Sequence, residues 1–350
     1  MFVNKIALRS FRNHNRETFE FDPGINVITG PNASGKTNIV EAIYYLSLAR
    51  SFRGAEEDEL VGYGEDYAEI EADVVEGKIR RNIRILMTKK GRQILVNGKK
   101  VSRLSELAKS VNVLLFEPKD VMLFRGSPKD RRDFLDINLS KRYPTYFEYI
   151  SRYEKVLRQR NEILKGDNSD KKMLDSLTEL LVKYSGPIVE YRTKYVKDIN
   201  DILIKISRAL GGAKGNTEII YKPFIPFTAK FADEALKAFN RSLDGDLKHK
   251  ATSIGVHRED FSVSLNGKEI GAYGSQGENR MIALALKIAP YFLIDDKDKK
   301  PIIVLDDVMS EFDSDHQKKL IEFLKKLDQV FITATELKID GATHIELNKM

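Results

Sequence analysis

The sequence predicts an α/β fold: a P-loop core of mixed β-sheets, interrupted by an inserted all-helical arm. Three observations predict it. Residues 30–37 read G-P-N-A-S-G-K-T, a complete G-x-x-x-x-G-K-[ST] phosphate loop. Residues 301–307 read P-I-I-V-L-D-D, an apolar run that ends in two carboxylates. Between these motifs lies a long stretch with apolar residues at helical spacing. The expected division is 1–118 for the first part of the core, 119–247 for the arm and 248–350 for the rest of the core.

The elements follow in order. Met1-Phe2-Val3-Asn4-Lys5-Ile6-Ala7-Leu8 reads as a first strand, and Thr18-Phe19-Glu20-Phe21 leads to a turn at Asp22-Pro23-Gly24. Ile25-Asn26-Val27-Ile28-Thr29 is a strand entering the phosphate loop, and Ile39, Val40, Ile43, Tyr44 and Leu46 give the following helix an apolar face. Ala68 to Val74 alternates apolar and polar, as a half-buried strand does. Ile79 to Leu86 and Gln93 to Val96 flank a turn at Lys89-Lys90-Gly91-Arg92, and Asn97-Gly98 marks a second turn. Val111 to Phe116 reads as another strand. Ser127 is an expected N-cap, with Pro128 in the first turn of a helix. Tyr146, Phe147, Ile150, Tyr153 and Leu157 recur at helical spacing, and a polar turn is expected at 166–169. A longer pattern runs from Leu174 to Ile206 and ends near Gly211-Gly212, with a kink or break expected at Gly186-Pro187. Strand chemistry returns near Ile254, with a hairpin turn at Asn266-Gly267. A helix from Glu278 to about Ala289 is kinked or ended by Pro290. The strand Ile302-Ile303-Val304-Leu305, a helix from Ser314 to Leu327 and a strand at 329–333 complete the chain.

The strand–loop–helix context turns the glycine motif into a phosphate site. Backbone N–H groups of Gly30, Pro31's successors Asn32, Ala33, Ser34 and Gly35, and the helix start at Lys36, Thr37 and Asn38 would wrap the phosphates of ATP. Lys36 would reach the β- and γ-phosphates, and the Thr37 hydroxyl would ligate Mg²⁺. Asp306 would hold the same Mg²⁺, directly or through water. Asp307 is placed as the general base that polarises an attacking water. Tyr273-Gly274-Ser275-Gln276-Gly277-Glu278 resembles the signature loop of ABC-type ATPases, a Ser-x-Gly loop opening a helix. In such ATPases the loop contacts the γ-phosphate bound by the other subunit. That makes Ser275, Gln276 and Gly277 expected nucleotide contacts in trans, with Ser275 part of the catalytic set beside Asp307 and Lys36.

Composition narrows the function classes. The chain has 350 residues, formal net charge +6 and no cysteine. Disulfides, thiolate metal sites and cysteine nucleophiles are excluded. His14, His249, His257, His316 and His344 lack metal-ligand spacing. No run approaches the roughly 18 apolar residues of a membrane span, and the first residues lack a signal-peptide apolar core. The expectation is a cytoplasmic protein with no membrane partner. The modest basic excess is compatible with nucleic acid.

Several further motifs recur in order: Phe11-Arg12-Asn13, Glu41-Ala42-Ile43-Tyr44, Ser51-Phe52-Arg53, Arg131-Arg132-Asp133-Phe134-Leu135-Asp136, His257-Arg258-Glu259-Asp260, and 306–313, D-D-V-M-S-E-F-D. With the phosphate loop and Gly274-Ser275-Gln276-Gly277, they resemble the RecF family of bacterial recombination mediators, relatives of SMC-type ATPase heads. The resemblance spans nearly the whole chain. It implies an ABC-type ATPase head, nucleotide contacts from Arg12 and Asn13, an ATP-dependent homodimer, and binding of double-stranded and gapped DNA. It also implies action with RecO and RecR to help load RecA. Pro31, Ala33 and Ser34 stand where other members often carry Glu, Gly and Gln. Thr333-Ala334-Thr335 has no histidine where many ABC transporters place a switch residue. Asp307 replaces the usual transporter Glu, shortening its reach by about 1.5 Å, so slow hydrolysis is expected.

Candidate DNA phosphate contacts are Lys89, Lys90, Arg92, Lys99 and Lys100 at the hairpin turns, and Arg125, Lys129, Arg131, Arg132, Lys141, Arg142, Arg152, Lys155, Arg158 and Arg160 on the arm. Arg131 and Arg132 serve equally as nucleotide-site or packing residues on this reading. No base-reading module is present, so little sequence specificity is expected. The competing readings are a transporter ATPase subunit, the head of an SMC-type nuclease complex, a P-loop kinase and a non-enzymatic DNA-binding module. The wide spacing from Thr37 to Ser275 disfavours the first, and the shortness of the arm disfavours the second. A kinase has no need of Ser275-Gln276-Gly277, and a plain binding module leaves the phosphate loop without a purpose.

Overall fold

The computed structural model of the chain describes residues 1–101, 106–107, 110–166, 170–211 and 215–348. Residues 167–169 of the turn expected at 166–169, and Gly212, lie outside the described residues. In chain order the strands are β1 (Phe2–Phe11), β2 (His14–Glu20), β3 (Gly24–Thr29), β4 (Tyr67–Glu76), β5 (Ile79–Thr88), β6 (Gly91–Val96), β7 (Lys99–Lys100), β8 (Val113–Phe116), β9 (Thr217–Lys222), β10 (Asp260–Leu265), β11 (Lys268–Glu269), β12 (Ile302–Leu305), β13 (Gln329–Ala334) and β14 (Thr343–Glu346). The helices are α1 (Lys36–Leu48), α2 (Glu57–Leu60), α3 (Pro128–Arg142), α4 (Pro144–Lys165), α5 (Lys171–Ala209), α6 (Phe231–His249), α7 (Ile270–Tyr273), α8 (Gln276–Phe292) and α9 (Ser314–Leu324).

The chain divides into two compact units, one of Met1–Val121, Lys205–Ala213 and Arg280–Met350, the other of Met122–Ile204 and Lys214–Asn279. The first unit holds a 6-stranded sheet in the order β2-β1-β4-β5-β6-β7 and a 5-stranded sheet in the order β14-β3-β13-β12-β8. The larger sheet is antiparallel. Its β6–β7 turn has Asn97 at φ 50° and Gly98 at φ 75°, the left-handed pair that a tight hairpin needs. The smaller sheet is parallel throughout. Its strands β12 and β13 are buried at every residue, as parallel strands covered on both faces must be. From α1, Ile39, Val40, Ala42, Ile43, Tyr45 and Leu46 join a core with Val3, Ile6, Ile70 and Ile85 of the larger sheet and Val304 and Phe331 of the smaller. Gln329 ties the sheets together: its buried amide accepts from the Val3 N–H and donates to the Val3 carbonyl, both at 2.8 Å.

The second unit contains α3, α4 and α6 with a 3-stranded sheet, order β11-β10-β9. This corrects the expectation of an all-helical arm ending at 247. Thr217–Lys222 is a strand, and its pairing with β10 places 260–265 in the same unit. The alternation Thr217, Ile219, Tyr221 is too short to be separated from helical spacing by sequence alone. Ser127 caps α3 as expected, in a reciprocal box with Asp130. Helix α5 runs through Pro187 and α8 through Pro290 without ending.

A buried ionic network explains two sequence motifs. Arg192, 1% exposed, donates to Asp136 at 2.8 and 3.0 Å, to Glu259 at 2.6 Å and to the Val256 carbonyl at 2.9 Å. Arg131 forks onto Asp260 at 2.7 and 2.8 Å, and Arg132 donates to the Glu259 carbonyl. Packing is therefore the role this structure gives both arginines. Arg160 is fully buried against Asp246. These three residues leave the set of candidate DNA contacts.

His257 belongs to this core. Its Nε2 donates to the Thr252 carbonyl at 3.1 Å, so Nδ1 accepts from the Tyr153 hydroxyl at 2.7 Å and the ring is neutral. Burial pushes its pKa down from 6.5 to about 4. The unfolded chain therefore binds a proton that the folded chain refuses. Stability from this site is full above pH 6.5 and is lost as pH falls toward 4, by up to about 3 kcal/mol. Urea unfolding of wild type and His257→Gln across this window should show a shallower slope in the variant. Parallel curves would contradict it.

Candidate nucleotide-binding site

Strand β3 delivers the chain to Gly30, and the loop turns into α1 with Gly35 at φ 96°. A Cβ on Gly35 would lie 2.7 Å from His14 Nε2 and 3.0 Å from Asn13 Oδ1, so the loop packs on these side chains only as glycine. Ala33 takes the left-handed conformation at φ 67°. Lys36 curls back, its Nζ donating to the Gly30 carbonyl at 2.7 Å and the Pro31 carbonyl at 2.8 Å. The hydroxyl of Ser34 is buried and has no hydrogen-bond partner among the described residues. Pro31, Asn32 and Ala33 are exposed. An anion would meet the ammonium and the backbone N–H groups here, and would supply an acceptor for Ser34.

Parallel pairing brings the carboxylates to this loop. Leu305 of β12 pairs with Ile332 of β13, and Thr333 pairs with Ile28 of β3. Asp306 therefore emerges at the same edge as the loop. Its Oδ1 accepts from Thr37 Oγ1 at 3.1 Å and from Thr333 Oγ1 at 2.7 Å. Burial pushes the Asp306 pKa up, against the two threonine hydroxyls that pull it down. A bound cation would favour its ionised form. The Thr37 hydroxyl and the Asp306 carboxylate are hard oxygen donors, and their pairing suits Mg²⁺, which takes few protein ligands beside phosphate and water. Asp307 is exposed. Its backbone is left-handed at φ 51°, and its N–H donates to Thr333 Oγ1 at 2.8 Å.

The first motif forms one wall of the loop. Arg12 forks onto the buried Glu41 at 2.7 and 2.9 Å and donates to the Glu59 carbonyl at 3.0 Å. Ser51 donates to the same Glu41, and Arg53 stands 3.7 Å from it. Asn13 accepts from Asn38 at 2.6 Å. Arg12, expected to touch nucleotide, thus has all its nitrogens on protein acceptors and braces Glu41 of α1. Sequence reasoning missed His14, which bridges Glu17 at 2.7 Å and the Gly35 carbonyl at 3.1 Å. It also missed Thr333. The only signals were His14 directly following the Phe11-Arg12-Asn13 motif and a hydroxyl closing the apolar run 330–332.

Ser275, Gln276 and Gly277 belong to the second unit and are exposed. Ser275 caps its own helix: its N–H and hydroxyl donate to Glu278 at 2.8 and 2.9 Å, and the Glu278 N–H donates to its Oγ at 3.2 Å. Buried Asn279 donates to the carbonyls of Ile270, Gly274 and Ser275, and Arg125 donates to that of Gly271 at 3.0 Å. A Cβ on Gly277 would meet nothing within 4 Å. The loop is thus preformed and open on its outer side.

Among the basic residues, Lys89, Lys90, Lys99, Lys100, Lys129, Arg152, Lys155 and Arg158 are exposed. Arg92 is paired with Glu57. Among the described residues no helix is long and apolar enough to cross a membrane.

Residues 2–341 match the family model described as RecF/RecN/SMC N terminal domain. The chain is 38% identical to the DNA replication and repair protein RecF of Streptococcus agalactiae, over 97% of this chain and 92% of that protein. It is 36% identical to the RecF of Oceanobacillus iheyensis, over 100% and 97%. A solved structure of the recombination mediator protein RecF in the RecFOR pathway, in its RecF–ATPrS form, superposes with TM-score 0.91 at 31% identity, covering 99% of this chain and 96% of that one. The Smc head domain of Pyrococcus furiosus matches at TM-score 0.57 and 18% identity, which shows a shared fold. An α/β head of the SMC and ABC ATPase type, the phosphate-loop edge and full-length identity together establish that this chain belongs to the RecF family of DNA replication and repair proteins.

Proposed function

We propose that this chain is an ATP-dependent DNA-binding protein of recombinational DNA repair and replication, and that ATP closes it into a homodimer on double-stranded or gapped DNA. The observation that carries the reading is the 3.1 Å contact between Thr37 and Asp306, which joins the two halves of a phosphate-and-metal site from opposite ends of the chain. Family membership supports the DNA partner and cooperation with RecO and RecR in loading RecA.

Lys36 leaves the Gly30 and Pro31 carbonyls for the β- and γ-phosphates, and the N–H groups of 32–37 hold their oxygens. Mg²⁺, when bound, neutralises charge between the phosphates. Thr37 and Asp306 would hold it. Asp307 orients a water for attack on the γ-phosphorus and takes up its proton as the bond to the β-phosphate oxygen breaks, giving ADP and phosphate. Ser275 of a second copy exchanges its contact with Glu278 for the γ-phosphate. ATP thereby favours the dimer, a population shift that hydrolysis reverses. Hydrolysis is slow, because Asp307 is short and its partner loop arrives only on dimerisation.

Filter binding to duplex and gapped DNA, with and without ATP over a salt series, tests the reading. ATP should strengthen binding, and added salt should weaken it steeply. Binding indifferent to ATP would refute it. Ser275→Arg should keep monomeric ATP binding and lose ATP-driven dimerisation in light scattering, and normal dimerisation would sink the shared site. Lys36→Arg keeps the charge but loses the geometry, and turnover at the wild-type rate would contradict its assigned role.

A further inference from the structure

Thr333 sits on the central strand of the parallel sheet, fully buried, one residue beyond the last paired position with β12. Its hydroxyl donates one hydrogen bond, to Asp306 Oδ1 at 2.7 Å, and accepts another, from the Asp307 N–H at 2.8 Å. The second contact holds a residue in an unusual backbone conformation, since Asp307 is a non-glycine at φ 51°. A β-branched residue on a strand has a stiff χ1, so this hydroxyl is a fixed point. The same strand runs on to accept the Gly30 N–H at the Thr335 carbonyl, 3.4 Å. It therefore touches the phosphate loop and the carboxylates together.

We infer that Thr333 is a positioning residue for ATP hydrolysis: its hydroxyl fixes the main chain of Asp307, and so aims the Asp307 carboxylate. This rests on the ATPase reading above. The Asp307 side chain is exposed. Its aim is set by the turn, and the turn is held by Thr333. Replacing the hydroxyl by a methyl of the same shape leaves the Asp307 N–H without its acceptor.

The test compares wild type with Thr333→Val and Thr333→Ser, with Thr333→Ala as a second deletion should valine disturb packing. Hydrogen exchange of the peptide containing Asp306 and Asp307, in protein without nucleotide, reads the contact directly. Titration with a fluorescent ATP analogue reads binding, and single-turnover hydrolysis reads chemistry. Thr333→Val should speed exchange at the Asp307 amide by at least about tenfold and slow hydrolysis by about 10- to 100-fold. Affinity for the analogue should stay within about threefold, the split expected of a group that acts on the attacking side. Thr333→Ser should restore both. Unchanged exchange, unchanged hydrolysis, or a loss that serine fails to restore would each overturn the inference. A wild-type protein that hydrolyses nothing, alone or with DNA, would instead overturn the ATPase reading on which it rests.

Discussion

The site depends on one strand being in the middle. β13 pairs in parallel with β3 on one side and with β12 on the other. That double pairing fixes Gly30, Thr37, Asp306 and Thr333 at a common edge, although hundreds of residues separate the first pair from the second. The strand is buried at all positions, so a slip of register would turn Val330 and Ile332 out of one packed layer and into another. The buried amide of Gln329 pins its start to β1. Hydrophobic packing thus sets the register, and the register sets the chemistry.

What was legible in the sequence was local. The phosphate loop, the apolar run ending at Asp306 and Asp307, the Asn97-Gly98 and Asn266-Gly267 turns and the Ser127 cap are each specified by neighbours, so residues and spacing suffice. What was not legible depends on strand order. Thr333 looked like the place of a missing histidine. Its contacts with Asp306 and Asp307 exist only once β13 lies beside β12. His14 acts on Gly35 through the return of β2, and Arg12 meets Glu41 through the placement of α1. β9 escaped notice because its partner, β10, lies some forty residues away. In each case a side chain's partner was set by topology.

The same distinction reassigns the charges of the arm. Arg131, Arg132 and Arg160 read as phosphate contacts in sequence, but each is directed at a carboxylate or a backbone carbonyl. Arg192, which carried no signal beyond its place in a helix, is the hub of the buried network. Such a network adds little net stability over a well-packed apolar core, but removing one member leaves a buried charge unpaired. Electrostatics inside the second unit therefore enforce one arrangement of its helices and sheet. The signature loop carries its own internal partner, Glu278, on the donors of Ser275 that a phosphate would use.

We propose that Thr37 and Asp306, joined at 3.1 Å, form a single site for a magnesium–nucleotide complex. Equilibrium ATP binding to wild type and Asp306→Asn, each with Mg²⁺ and with a chelator, tests it most directly. Wild type should bind at least about tenfold more tightly with Mg²⁺, roughly 1.4 kcal/mol, and Asp306→Asn should lose that increment while keeping its metal-free affinity. An undiminished response to Mg²⁺ in Asp306→Asn would contradict the claim.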